Sequence, residues 1–250
     1  MMSAPAWLKL TGRAYWVALL VSSSLCLARV EAQTPRRWIV GVDRSASREP
    51  QQMADMRQFL QQLGEMLSYG DRVVLVQMFT SDQGLIREVR DSTLPLRNPA
   101  PTAQEARRLD AVRRSLKMRF AVSYTDTVGQ KLITSTDILG FLRRASAYAR
   151  SGTRMPTTIV LLSDMLHSTR DLDMEKTGGV KDAAWVERQR TMGLIPDLQG
   201  VCIAAAGAGD SRPRDRSVRA FWTAYFKAAG ARFDDRNYRP FMAPSDIDCA

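Results

Sequence analysis

The stretch IVGVDRSAS, Ile39 to Ser47, decides how this chain is read. Its apolar half is short and β-branched, the pattern of one strand buried on both faces. Its polar half sets Asp43, Ser45 and Ser47 two residues apart. Alternate side chains of an extended segment point to one side, so the three oxygens can meet at a single point if the backbone stays extended or curls around it. The plainer alternative is a strand-end turn whose side chains cap the helix beginning near Glu49.

Outward from this stretch, apolar and amphipathic runs alternate. Glu49 to Leu67 places Met53, Met56, Leu60, Leu63 and Leu67 at steps of three and four, with Gly70 as a stop, which predicts a helix. DRVVLVQMF (71–79) is a second buried strand, and GLIREVR (84–90) reads as a third, alternating strand at an edge. LPLRNPAPT (94–102) carries three prolines and is a loop. Ala103 to Phe120 is a basic helix, and 121–135 has no clear pattern. Thr136 and Asp137 then head a helical stripe of Ile138, Leu142, Ala145 and Ala149. TTIVLLSD (157–164) is a strand that again ends in a carboxylate. A polar stretch follows with a short helix from Lys181, then the strand GVCIAAAG (200–207), a helix from Val218 to Ala229, a short strand ARFDD (231–235) and an irregular tail, 236–250. Strands that alternate with helices predict the α/β class: a doubly wound, mainly parallel sheet with helices on both faces, built as one domain over residues 33–250.

Composition narrows the setting. The chain of 250 residues is 45% hydrophobic and carries a formal charge of +10. Its basic residues are spread along the chain without aromatic interleaving, which argues against a nucleic-acid face and for acidic partners of another kind. Lys9 and Arg13 precede the apolar run Ala14–Ala28, and Val30-Glu31-Ala32 offers a peptidase site, so residues 1–32 read as a secretory signal. That run is shorter than the roughly 20 residues that cross a bilayer, so no membrane span is expected after cleavage. A periplasmic or secreted protein follows, and the absence of Asn-x-Ser/Thr acceptors favours a bacterial envelope. Cys202 and Cys249 then either pair in an oxidising compartment or stand as buried thiols; the sequence leaves both open.

In open parallel sheets ligands sit beyond the carboxyl ends of the strands, where strand order reverses. Asp43 and Asp164 both fall at such ends, and Thr134, Ser135 and Thr136 precede a helix nearby. Carboxylates and hydroxyls without a His or Cys cluster form a hard-oxygen site, suited to Mg²⁺, Mn²⁺ or Ca²⁺ rather than zinc. His167 is the sole histidine and reads as a loop residue near the rim. The chain has no G-x-S-x-G elbow for a Ser-His-Asp nucleophile, and GAGDS (207–211) is a turn, since Arg212 replaces the last glycine of a dinucleotide fingerprint.

VGVDRSAS, then TSTDI heading a helix and IVLLSD ending a strand, resembles the three-part metal-ion-dependent adhesion site (MIDAS) of von Willebrand factor type A (VWA) domains, in particular those of exported bacterial proteins. The resemblance runs from about Arg37 to Asp235. It implies that Ser45, Ser47 and Thr136, or Thr134 or Ser135 in the place of Thr136, bind a divalent cation through hydroxyls while Asp43 and Asp164 hold its waters or the ion itself. It implies further that an Asp or Glu of a partner protein completes the coordination, making an adhesion or assembly module in an envelope complex. Two departures stand out: Met165 follows the third-motif Asp where the family has glycine, and the chain is longer than needed around 95–120. Arg107, Arg108, Arg113 and Arg114 in that helical insertion, with His167, are candidate partner contacts. Two other readings use the same residues: a divalent-metal hydrolase or phosphoryl-transfer enzyme working through Asp43 and Asp164, and a metal-free structural component.

Overall fold

A computed structural model describes residues 34–43, 50–78, 88–96, 98, 100–128, 135–152, 154–209 and 213–249. The expected secretory signal and the side chains of Ser45 and Ser47 lie outside the described residues. Thr34–Ala250 forms a compact unit around one six-stranded sheet. Its strands are β1 (Arg37–Val42), β2 (Arg72–Gln77), β3 (Glu88–Thr93), β4 (Thr157–Leu162), β5 (Cys202–Ala206) and β6 (Arg232–Arg239), in spatial order β3-β2-β1-β4-β5-β6. All pairings are parallel except β2 with β3. The protein is therefore of the doubly wound α/β class. Strand order reverses between β1 and β4, and there the register matches Val42 with Leu162. Asp43 and Ser163 thus emerge side by side at the switch point.

The helices are α1 (Pro50–Met66), α2 (Ala103–Val128), α3 (Ile138–Arg150), α4 (Ala183–Thr191) and α5 (Pro213–Ala228). Alternation along the strands divides the core. Ile39, Val74, Val76, Ile159 and Leu161 face a cluster with Phe141 of α3 and Trp222 of α5, whereas Val40, Val42, Leu75, Val160 and Leu162 face α1. Gly41 on β1 allows the first of these layers to close, because a Cβ there would sit 2.7 Å from both Met78 Sδ and Phe141 Cζ.

Several boundaries differ from the sequence expectation, each for a tertiary reason. The third strand is described over 88–93, beyond the expected end at 90, and pairs antiparallel to β2, while the expected start at 84–87 lies outside the described residues; Leu94 and the Gly70–Asp71 turn exchange backbone hydrogen bonds that set this register. The last strand extends to Arg239 because a register shift opposite Ile203–Ala205 lets Asn237 and Tyr238 turn inward. The tail is tied down. Asn237 Nδ2 donates to the Asp248 carbonyl at 2.6 Å, the Asp248 N–H donates back to Asn237 Oδ1 at 3.1 Å, and Cys249 is joined to Cys202 with Cα atoms 5.7 Å apart.

Helix α2 continues to Val128, well past Phe120. Its start is a reciprocal cap: the Glu105 N–H donates to Thr102 Oγ1 at 3.3 Å and the Thr102 N–H to Glu105 Oε2 at 2.8 Å. Arg113 reaches back to the C-terminal end of α1, donating through Nη2 to the Leu67 carbonyl at 2.6 Å, and stacks over Tyr69, whose hydroxyl bonds Asp110. Arg113 therefore holds α2 against α1 and is half-buried. Arg107, Arg108 and Arg114 remain exposed. Among the described residues no helix is long and apolar enough to cross a membrane.

At the start of β1, Arg37 is 1% exposed. Its guanidinium donates to the carbonyls of Tyr148 (2.9 Å), Ala149 (2.6 Å) and Ser151 (2.7 Å) at the C-terminal end of α3. A cation there satisfies orphan carbonyls and the negative end of the helix dipole together. Arg37→Met is expected to destabilise the fold by about 2–4 kcal/mol, because it removes three charge-assisted hydrogen bonds from the end of α3, and Arg37→Lys recovers only part, since an ammonium cannot reproduce the planar fork. Denaturant midpoints of the three proteins check this. Cys249→Ser should lower stability by about 2–4 kcal/mol, the scale for a disulfide closing a loop of this order, and should raise hydrogen exchange selectively in residues 240–249.

Candidate functional site

The site forms where three chain segments leave the sheet at its carboxyl edge. β1 delivers Asp43, the segment entering α3 delivers Thr136, and β4 delivers Ser163 and Asp164. Backbone bonds fix the meeting point: the Asp43 N–H donates to the Leu162 carbonyl at 3.0 Å, and the Ser163 N–H to the Ala206 carbonyl at 2.9 Å. Asp43 is 1% exposed. Thr136 Oγ1 donates to its Oδ1 at 3.0 Å and Ser163 Oγ to its Oδ2 at 2.8 Å, so both carboxylate oxygens accept from hydroxyls on different elements.

The sequence expectations meet this geometry unevenly. Asp43 and Thr136, 93 residues apart in the chain, are in direct contact. Asp164 is half-buried on the same strand end, with Oδ1 accepting from the Leu166 N–H at 2.9 Å. Ser45 and Ser47 lie outside the described residues. Ser163 was missed. It stands in the quoted LLSD, and its signal was only that it occupies the first position after a strand whose neighbour ends in Asp; the register that pairs it with Asp43 is tertiary.

Met165 is the one described non-glycine residue with a positive φ, 66°. The left-handed conformation costs an L-residue about 1–2 kcal/mol. The side chain is fully buried, however, and the Met165 carbonyl accepts from Trp222 Nε1 at 2.8 Å. The methionine thus holds a backbone shape that ordinarily asks for glycine, and its buried thioether offsets the strain.

His167 needs a correction. It is not a rim residue but is 1% exposed, beneath the start of α3. Its Nδ1 accepts from the Ile138 N–H at 3.1 Å and the Leu139 N–H at 3.5 Å, while Asp137 Oδ1 accepts from the Gly140 N–H at 2.7 Å. The two side chains share the orphan donors of the helix. Since Nδ1 accepts, the neutral ring carries its proton on Nε2, which donates to Thr169 Oγ1 at 3.0 Å. A Cβ at residue 140 would fall 2.1 Å from Asp137 Oδ2, which accounts for Gly140 inside the first turn.

Burial lowers the His167 pKa to about 4, with Arg143 acting in the same sense and Asp137, Asp173 and Asp171 opposing it. A group depressed in the folded state from an ordinary value near 6.5 favours the fold when neutral, so its contribution is complete above that value and is lost as the pH falls toward 4. The loss is on the order of 3 kcal/mol. His167→Asn, whose Oδ1 can accept in place of Nδ1, should lack this step. Unfolding free energies of both proteins between pH 7 and pH 4 measure the difference.

The donor set consists of hydroxyls and carboxylates, with the only histidine occupied as a cap. It fits a hard divalent cation in kind. Among the described residues no three His, Cys, Asp or Glu side chains cluster, so a cation held here depends on hydroxyls as much as on carboxylates.

No protein-family model matches the chain, and no curated protein matches it. Among solved structures it is similar to an aerotolerance-related membrane protein from Bacteroides fragilis, at TM-score 0.40 and 14% identity over 85% of this chain and 93% of that one. It is also similar to the three N-terminal domains of the type V pili tip protein Mfa5 from Porphyromonas gingivalis (TM-score 0.31, 16% identity, 72% and 29% covered). A von Willebrand factor type A protein from Catenulispora acidiphila is a third (0.36, 12%, 79% and 43%). The chain spans under half the length of the last two. Likenesses this distant concern the path of the chain and leave function to the site.

Proposed function

We propose that the crevice at the carboxyl ends of β1 and β4 is a VWA-type adhesion site that holds a divalent cation and, through it, an acidic residue of a partner protein. The observation that carries this reading is the contact of a buried Asp43 carboxylate with the Thr136 and Ser163 hydroxyls at the switch point of the sheet. It joins the first and second of the three sequence motifs at the strand ends, and Asp164 of the third stands beside Ser163. Asp43, Thr136 and Asp164, with Ser45 and Ser47, would hold Mg²⁺, Mn²⁺ or Ca²⁺. Such a cation, bound mainly through neutral hydroxyls and waters, supplies an electrophilic position for an incoming carboxylate.

The protein's own residues provide the frame. Ser163 and Thr136 orient Asp43, and Ser163 Oγ also accepts from the Met165 N–H at 3.0 Å, which sets the turn after Asp164. The function is then adhesion or assembly in a bacterial envelope, outside the cytoplasm, with a partner that offers Asp or Glu. The strong positive charge would favour acidic partners at longer range. With His167 occupied as a helix cap, a hydrolase would have to work through Asp43 and Asp164 alone.

Titration calorimetry of the purified protein with Mg²⁺, Mn²⁺ and Ca²⁺ tests the reading. Binding is expected for the wild type and should weaken at least tenfold in Thr136→Ala, Ser45→Ala and Asp164→Ala, each verified as folded by circular dichroism. Equal binding by all four proteins would place the ion elsewhere, and absence of binding at millimolar metal would favour a metal-free scaffold.

A further inference from the structure

A cleft of about 760 Å³ opens beside the N-terminus of α3, between the 167–176 loop and helices α4 and α5. This lies within the range of small-ligand pockets. Apolar groups line much of it: Leu139, Leu172, Trp185 and Leu194. Leu194 is 52% exposed although it is a large aliphatic side chain.

The polar groups of the cleft divide into those already occupied and those that are not. Asp137 caps Gly140, Asp173 pairs with Lys176 at 3.1 Å, and His167 accepts from the start of α3. Ser135 and Asp171 also line the wall. Arg143 and Arg170 make no hydrogen bond or ion pair among the described residues, and both are exposed on the rim. Tyr225 is the second, independent observation. It is 2% exposed and lines the cleft, yet its hydroxyl makes no hydrogen bond among the described residues. Burial pushes its phenol pKa up, so the hydroxyl remains a donor at every physiological pH. The hydroxyl is not sealed from solvent: it opens to the cleft, where it can donate to a ligand oxygen.

The geometry points to a binding site for a carboxylate carried on an aromatic or aliphatic body, with Arg143 and Arg170 taking the charge, Tyr225 donating to an oxygen, and Trp185, Leu139 and Leu194 covering the apolar part. Guanidinium groups suit a planar carboxylate because they can offer two parallel N–H donors. Asp171 on the same wall repels any anion, so the apolar contacts must supply part of the affinity. The site needs no metal ion and, although it shares the 135–137 segment with the crevice of Asp43, its lining includes neither Asp43 nor Asp164, so it does not rest on the adhesion reading.

Two sources present this chemistry, a free aromatic acid and the C-terminal residue of a peptide. Calorimetry of the whole protein in EDTA, using indole-3-acetate, acetyl-Gly-Phe with a free carboxylate, and the primary amide of each, separates them. Binding of the acids at least tenfold tighter than the amides is expected. Arg143→Ala and Arg170→Ala should each weaken the acids about tenfold and leave the amides unchanged, the scale of one charge-assisted bond. Tyr225→Phe should weaken the acids by roughly three- to tenfold. Binding by the peptide alone assigns a chain terminus, and by indole-3-acetate alone a small acid; either supports the site. Equal affinity for acid and amide, no binding at about 10 mM, or acid binding unaffected by both arginine variants overturns it. Acid binding that appears only with Mg²⁺ also overturns it, while leaving the adhesion reading intact.

Discussion

The buried carboxylate of Asp43 is the constraint around which this end of the molecule is organised. Thr136 and Ser163 each donate a hydroxyl to it, and so bring the start of α3 and the end of β4 to the end of β1. A carboxylate removed from water is costly unless its oxygens are satisfied, so the three segments cannot separate without exposing that cost. At the other end of the same strand Arg37 holds the last carbonyls of α3. One strand of six residues therefore grips both ends of one helix, with Gly41 between them allowing the helix to lie close.

This arrangement gives the crevice a rigid back wall. The start of α3 is held by three side chains: Thr136 toward Asp43, Asp137 toward Gly140, and His167 from beneath. His167 comes from the same loop that begins with Asp164 and turns at the left-handed Met165. The loop after β4 therefore serves two surfaces at once, the crevice on its β1 side and the arginine-rimmed cleft on the other. Residues 136 and 137 stand back to back between them, one facing each.

Much of the fold was legible because periodicity reports burial directly. The strand at 157–164, the stripe headed by Asp137 and the first helix with its Met and Leu steps lie close to where the pattern placed them. The edge strand and the last strand run past their expected ends, since those limits depend on pairing partners and a register shift that local pattern does not carry. Helix α2 runs to Val128, past its apolar signal, and Arg113 ties its earlier part to α1, a contact the local pattern does not carry.

For the site the division is similar. The sequence by itself determined the residue types and their order: a carboxylate at the end of each of two buried strands, hydroxyls near both, and a Thr-Asp pair before a helix. It also determined the class of fold, because the alternation of buried strands and amphipathic helices leaves few other ways to cover the apolar faces. Only the tertiary structure decided that Ser163 rather than its neighbour meets Asp43, that His167 is a buried cap, and that Met165 takes up a conformation suited to glycine. Those facts depend on strand register and on which orphan donors come within reach of which acceptors, and such distances between residues far apart in the chain exist only once the sheet has formed.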